Sequence, residues 1–118
     1  MTNKSLLTAS HVRYLMALKR LNCASGIKGS DIADELNLSR PSVHNMMDTF
    51  IFMEYIEKEP GGQVFLTDYG FQRASFFEEK YHRIKMKLFP EHKTDDSVDR
   101  AICAMIAELS DESIKCLA

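Results

Sequence analysis

Between Ser39 and Asn45 the chain sets Ser39, Arg40, Pro41, Ser42, His44 and Asn45 almost side by side. These residues offer hydroxyl, guanidinium, imidazole and carboxamide groups to a hydrogen-bonding partner. A carboxamide carries a donor next to an acceptor, the pair that matches the exposed edge of adenine in a DNA major groove, so Asn45 is the candidate base reader. Arginine and serine at the start of a helix suit phosphate, because the positive end of the helix dipole adds to their own donors; Ser39 and Arg40 take that role. Pro41 serves to start a helix, and its ring could also lie against a thymine methyl. Catalytic chemistry has no comparable foothold. There is no phosphate-binding glycine loop, no Gly-x-Ser-x-Gly and no His-Glu-x-x-His, so the chain is read as a non-enzyme.

The elements that must position this run are legible from periodicity. Val12, Leu15, Met16, Leu18 and Leu21 recur at helical spacing after Thr8, a good N-cap, and predict a first helix over 8–21. A short second helix over 30–36 ends at Asn37, a residue that tolerates the left-handed conformation. The third helix starts at the Ser39 cap with Pro41 in its first turn and buries Val43, Met46, Met47 and Phe50. The period then changes: Tyr55–Glu59 and Gln63–Leu66 alternate around Pro60-Gly61-Gly62, a β-hairpin. Thr67 caps a long helix to about residue 89, with Phe71, Ala74, Phe77, Tyr81, Ile84 and Leu88 on one stripe, and Pro90 stops it. After a polar connector, Asp95 or Asp96 caps a fifth helix to about Leu109, and Ser110-Asp111-Glu112 opens a short sixth.

Composition bounds the answer. With 118 residues, 45% apolar and 27% charged, one core is available to the chain. No apolar run reaches the roughly 18 residues of a bilayer span, and Met-Thr-Asn-Lys before Leu6-Leu7 lacks a leader's pattern, so a cytoplasmic protein without membrane attachment is expected. Cys23, Cys103 and Cys116 are odd in number and form no Cys-x-x-Cys, which supports neither a disulfide framework nor a zinc finger. Cys23 and Cys116 read as packing residues or exposed thiols, and His11 and His92 as solvent-exposed polar residues. The net charge of −2 hides an asymmetry: residues 1–53 hold six Lys/Arg against four Asp/Glu, whereas 54–118 hold nine against thirteen. The first part is the one that could face a polyanion.

Residues 29–50 meet the requirements of a helix-turn-helix. Ala33 falls where two helices cross closely, Ile32, Leu36, Leu38, Val43 and Met46 pack between them, and Asn37 takes the turn. The hairpin that follows makes this a winged helix-turn-helix, with the third helix leading into the major groove of double-stranded DNA. Helix phase turns Arg40, Pro41, Ser42, His44 and Asn45 outward. Asp48 also faces out and would repel phosphate, so the contact region ends before it. The wing offers Lys58 and Gln63 but also Glu57 and Glu59, which makes its contribution to affinity small.

Asp31-Ile32-Ala33 with Leu36, Ser42-Val43 with Met47, Tyr55-Ile56, Leu66-Thr67-x-x-Gly70 with Ala74, and Tyr81-His82-Arg83-Ile84 with Leu88-Phe89 together resemble the diphtheria toxin repressor and manganese transport regulator (DtxR/MntR) family. The Leu-Thr-x-x-Gly element is shared with MarR-type regulators; the His82 segment and the stretch from Ala101-Ile102-Cys103 to Ser110 favour the metalloregulators. The resemblance implies a mainly α fold with a small hairpin: a winged helix-turn-helix over 1–70, then a long linker helix and a helical dimerisation region over 71–118. It also implies a homodimeric, cytoplasmic transcriptional repressor reading a near-palindromic operator through Ser39, Pro41, His44 and Asn45. Manganese, iron or zinc would be the effector.

Here the family's metal ligands match only in part. His82 and Cys103 fall on ligand positions, and Asp99, one turn before Cys103, is the likeliest third donor. The family's Glu-His pair falls on Ile106 and Ala107, and its first-helix ligands fall near Arg13 and Met16. Imidazole, thiolate and carboxylate would suit a transition metal, but His82 and Cys103 also read as interior packing residues, and Arg13 would oppose a dication. A tight site is therefore not expected. Two alternatives follow: a metal-independent, MarR-like regulator, or a winged helix that has become a protein-interaction module without DNA affinity.

Overall fold

The computed structural model describes residues 7–91 and 95–116. The Met-Thr-Asn-Lys start, Leu6 and His92 lie outside the described residues. The order is α1 (Ala9–Leu21), α2 (Gly29–Leu36), α3 (Arg40–Phe52), β1 (Ile56–Lys58), β2 (Val64–Leu66), α4 (Asp68–Leu88), α5 (Asp96–Glu108) and α6 (Asp111–Lys115). This is a mainly helical chain with one two-stranded antiparallel hairpin, paired Ile56 to Leu66, Glu57 to Phe65 and Lys58 to Val64. Two compact units emerge, one of Tyr14–Ser75 and one joining the residues up to Arg13 with those from Phe76 onward. The boundaries between these compact units fall inside α1 and inside α4.

The helix starts follow from local chemistry. Thr8 Oγ1 accepts from the His11 backbone N–H at 3.2 Å, and His11 Nδ1 accepts from the Thr8 N–H at 3.3 Å. This reciprocal cap satisfies two donors that a helix terminus leaves without partners, and it makes His11 half-buried where an exposed residue was expected. Asp95 and Ser110 cap α5 and α6 by accepting from the N–H of Val98 and of Ser113. α4 is 21 residues long, about 32 Å at 1.5 Å per residue.

In the Tyr14–Ser75 unit the apolar faces meet as helix phase requires. Leu15, Leu18, Ile27, Ile32, Val43, Phe50 and Ile56 are fully buried, and Phe50 carries rings on both sides, Tyr14 at 6.2 Å and Tyr55 at 5.3 Å, each edge-on. The hairpin is joined by a third segment: Ile27 and Val64 exchange backbone hydrogen bonds of 2.8 and 2.9 Å. Where the chain re-enters a helix, Thr67 Oγ1 donates to the Glu54 carbonyl at 2.7 Å and accepts from the Gly70 N–H at 2.9 Å. Gly70 is required by close approach, since a Cβ there would lie 2.0 Å from the Tyr55 carbonyl oxygen.

Three packing expectations change. Leu38 is 36% exposed, because it sits in the turn between Asn37 and the Ser39 cap and on neither helix. Met46 is only half-buried: neighbouring residues are about 100° apart around a helix, and Val43, Met47 and Phe50 take the inward face. On α4, Phe71 and Leu88 are 45% and 46% exposed, while Lys80 is buried. In the other unit the core includes Val12, Phe77, Ile84, Val98, Ile102, Cys103, Ile106, Ala107 and Ile114.

Candidate nucleic-acid interface

The helix pair is set by a two-residue corner. Asn37 stands at φ 55° and ψ 51°, the left-handed region, and ends α2. Extended Ser39 then begins α3: its Oγ accepts from the Ser42 N–H at 3.2 Å, and its hydroxyl lies 3.0 Å from that of Ser42. Losing such a cap costs about 1 kcal/mol. The Ser39 and Ser42 hydroxyls therefore have a structural task as well as exposure to a partner.

With Val43, Met47 and Phe50 inward, Ser39, Arg40, Pro41, Ser42, His44, Asn45 and Asp48 are all exposed. Among the described residues the Asn45 side chain makes no hydrogen bond; the residue's backbone carbonyl accepts from Thr49 Oγ1 at 3.2 Å. Its amide is thus left to an outside partner. His44 Nε2 lies 3.6 Å from Asp48 Oδ2, so Asp48 bears on the same face.

Between this face and the hairpin runs a groove of about 420 Å³. Arg40, His44 and Asp48 line it from α3, Lys58 and Gln63 from the hairpin, and Lys28 with Gly29 from the start of α2. Lys28 is a contributor that sequence reading missed. It occupies the N-cap position of α2 without a side-chain cap bond, which leaves the positive end of that helix open beside the groove. The signal was present, a lysine directly before a helix start, but only the folded hairpin brings Lys58 and Lys28 to one groove.

The residues proposed for a metal behave differently. On α5, Asp99 is engaged at both oxygens: Oδ2 accepts from Arg13 Nε at 2.9 Å and Oδ1 from the Tyr81 hydroxyl at 2.7 Å. His82 on α4 is exposed, neither interior nor turned to a partner carboxylate at bonding distance, while Cys103 on α5 is fully buried. Ile106 and Ala107 are buried apolar residues. Among the described residues no three His, Cys, Asp or Glu side chains converge as a metal-binding group, so His82, Asp99 and Cys103 are not brought together as a ligand set. With a guanidinium already against the carboxylate, these residues do not fit a divalent metal.

Comparison with solved structures places the fold. T. acidophilum IdeR superposes with a TM-score of 0.68 at 22% identity, over 90% of this chain and 51% of that one. ScaR with bound Zn²⁺ gives 0.65 at 24% identity, over 90% and 50%. The hypothetical protein SSo2273 from Sulfolobus solfataricus gives 0.65 at 22% identity, over 94% and 86%. The chain therefore spans about half the length of IdeR and of ScaR. It shares their winged-helix fold; identity at this level speaks to fold alone. No family model and no curated protein matches the sequence. ScaR is described as a manganese-activated repressor. Among the described residues no helix is long and apolar enough to cross a membrane.

Proposed function

We propose that this chain is a sequence-specific DNA-binding transcriptional regulator, a homodimeric repressor of the DtxR/MntR type. One observation carries the reading: α3 presents Arg40, His44 and the uncommitted amide of Asn45 on an exposed face, beside a groove that Lys28 and Lys58 line from two other elements. Asn45 reads a base edge. Ser39, Arg40, Lys28 and Lys58 hold phosphate, and Pro41, Ser42 and His44 complete the contact surface at the leading turn. Support for DNA as the partner comes from the fold shared with ScaR, described as a repressor. Support for a second copy comes from Met86 and Leu88 near the end of α4, 50% and 46% exposed. Two copies would set their α3 helices about 34 Å apart, on the halves of a near-palindrome.

Selection from genomic fragments at low salt, followed by mobility shifts across a salt series, tests this. Expected is a recovered near-palindromic site whose affinity falls steeply with salt, as phosphate contacts require. If no fragment binds at low salt, with or without Mn²⁺, Fe²⁺ or Zn²⁺, the DNA reading is wrong and the interaction-module reading takes its place.

A further inference from the structure

The unit built from the start of α1 and the chain beyond Phe76 contains a charged cluster that DNA contact does not explain. Arg13 reaches from α1 to α5, its Nε to Asp99 Oδ2 at 2.9 Å and its Nη2 to Asp96 Oδ1. Tyr81 of α4 donates to the other Asp99 oxygen at 2.7 Å, and Arg100 closes on the second oxygen of Asp96 at 3.1 Å. Arg13 and Asp99 are largely shielded, with side-chain exposures of 20% and 24%. Three helices are therefore tied through one carboxylate whose counter-charge is a guanidinium.

We infer that Arg13 is the resident cation of this unit and holds α1, α4 and α5 together without a metal. Control of the proposed regulator is thereby separated from metal supply, a step that rests on the DNA reading only where DNA is concerned. A divalent ion ties helices by drawing donors from several of them around one positive charge, and its hold depends on how much of it is free in solution. Arg13 supplies its charge from within the chain, with fork geometry matched to carboxylates, and a guanidinium does not lose that charge under physiological conditions. A dication approaching Asp99 would meet the guanidinium in its place and would have to displace both it and the Tyr81 hydroxyl. Buried Cys103 does not compensate, since no third donor converges with it among the described residues. Regulation, where it exists, then acts through something other than metal availability.

Thermal unfolding of the full chain tests this without reference to DNA. For the wild type, Tm should stay within about 1 °C in chelator and in Mn²⁺, Fe²⁺ or Zn²⁺, and Arg13→Gln should lower it by roughly 5 °C, with no metal restoring it. Tyr81→Phe, which removes one hydrogen bond and leaves the ion pair, should give a smaller drop and covers the case in which Arg13→Gln does not fold. A wild-type Tm raised several degrees by one of these metals and returned by chelator would overturn the inference, as would an Arg13→Gln protein that melts like the wild type. A failure of the DNA reading shows itself separately, as absent binding with these melting results unchanged.

Discussion

Replacing Gly70 with alanine should destabilise the protein, although alanine is the better helix former. Gly70 is the third residue of α4, and the Gly-to-Ala propensity gain there is at most about 1 kcal/mol. Against it stands the Tyr55 carbonyl oxygen, 2.0 Å from the position of the new Cβ. Ordinary contact needs more than an ångström of retreat. That oxygen accepts from the Thr67 N–H at 3.0 Å and, 3.1 Å from Thr67 Oγ1, shares that hydroxyl's single proton with the Glu54 carbonyl, so moving it weakens both contacts, each worth at most about 0.5–1.5 kcal/mol. Adding overpacking of about 1–3 kcal/mol and subtracting the propensity gain gives a net loss of about 1–5 kcal/mol. Urea unfolding should show a midpoint lowered by about 0.5–2.5 M for a slope of ~2 kcal/mol/M. In a double-mutant cycle Thr67→Val should cost less in the Gly70→Ala background than alone, because the joint is already opened. A Gly70→Ala midpoint equal to or above that of the wild type would refute the steric argument and show that helix propensity outweighs the clash.

Other expectations follow from the same structure. Asn45→Ala should weaken specific binding by roughly 1–3 kcal/mol and relax preference at one position, whereas Lys58→Ala should weaken all sequences alike; equal losses on operator and random DNA for Asn45→Ala would remove its base-reading role. The exposed Cys23 thiol is lowered from its ordinary value, chiefly by its hydrogen bond with Ser25; more thiolate at neutral pH makes iodoacetamide labelling of Cys23 faster than that of a free cysteine, and Ser25→Ala should slow it. Buried Lys80 has its ammonium 3.2 Å from Asp111 and 4.2 Å from the Phe76 ring centroid. Asp111→Asn should cost about 1 kcal/mol in urea unfolding, since its carboxylate is largely exposed, while Lys80→Met should stay within about 1 kcal/mol of the wild type.

What the sequence disclosed were features decided within a few residues. The Ser39 cap, the left-handed Asn37, the hairpin turn and the Thr67 helix start are each settled by local hydrogen bonds or by one residue's conformational range. What it hid depends on distant partners. Arg13 meets Asp96 and Asp99 across more than eighty positions, and the exposed His82 could be placed only once α4 had a definite phase in the fold. Glu54 adopts a positive φ of 65° that its residue type would not announce; Thr67, donating to its carbonyl, supports the turn. The face of α3 was readable from period, but its groove was not, because Lys28 and Lys58 converge only after the hairpin has docked against Ile27.

That docking has a consequence for solubility. A free hairpin offers unpaired backbone groups along both of its outer strands, a template on which other chains can add. Here Ile27 occupies the outer side of β2 at Val64, so β2 becomes an interior strand at that point and the open side belongs to β1. β1 has three residues, and Glu57 and Lys58 with the following Glu59 are all exposed. Short length and alternating charge make that rim a poor seed for intermolecular pairing. The segment preceding α2 thus covers the outer side of the wing at Val64, and substitution of Ile27 is expected to raise aggregation, measured by light scattering during storage.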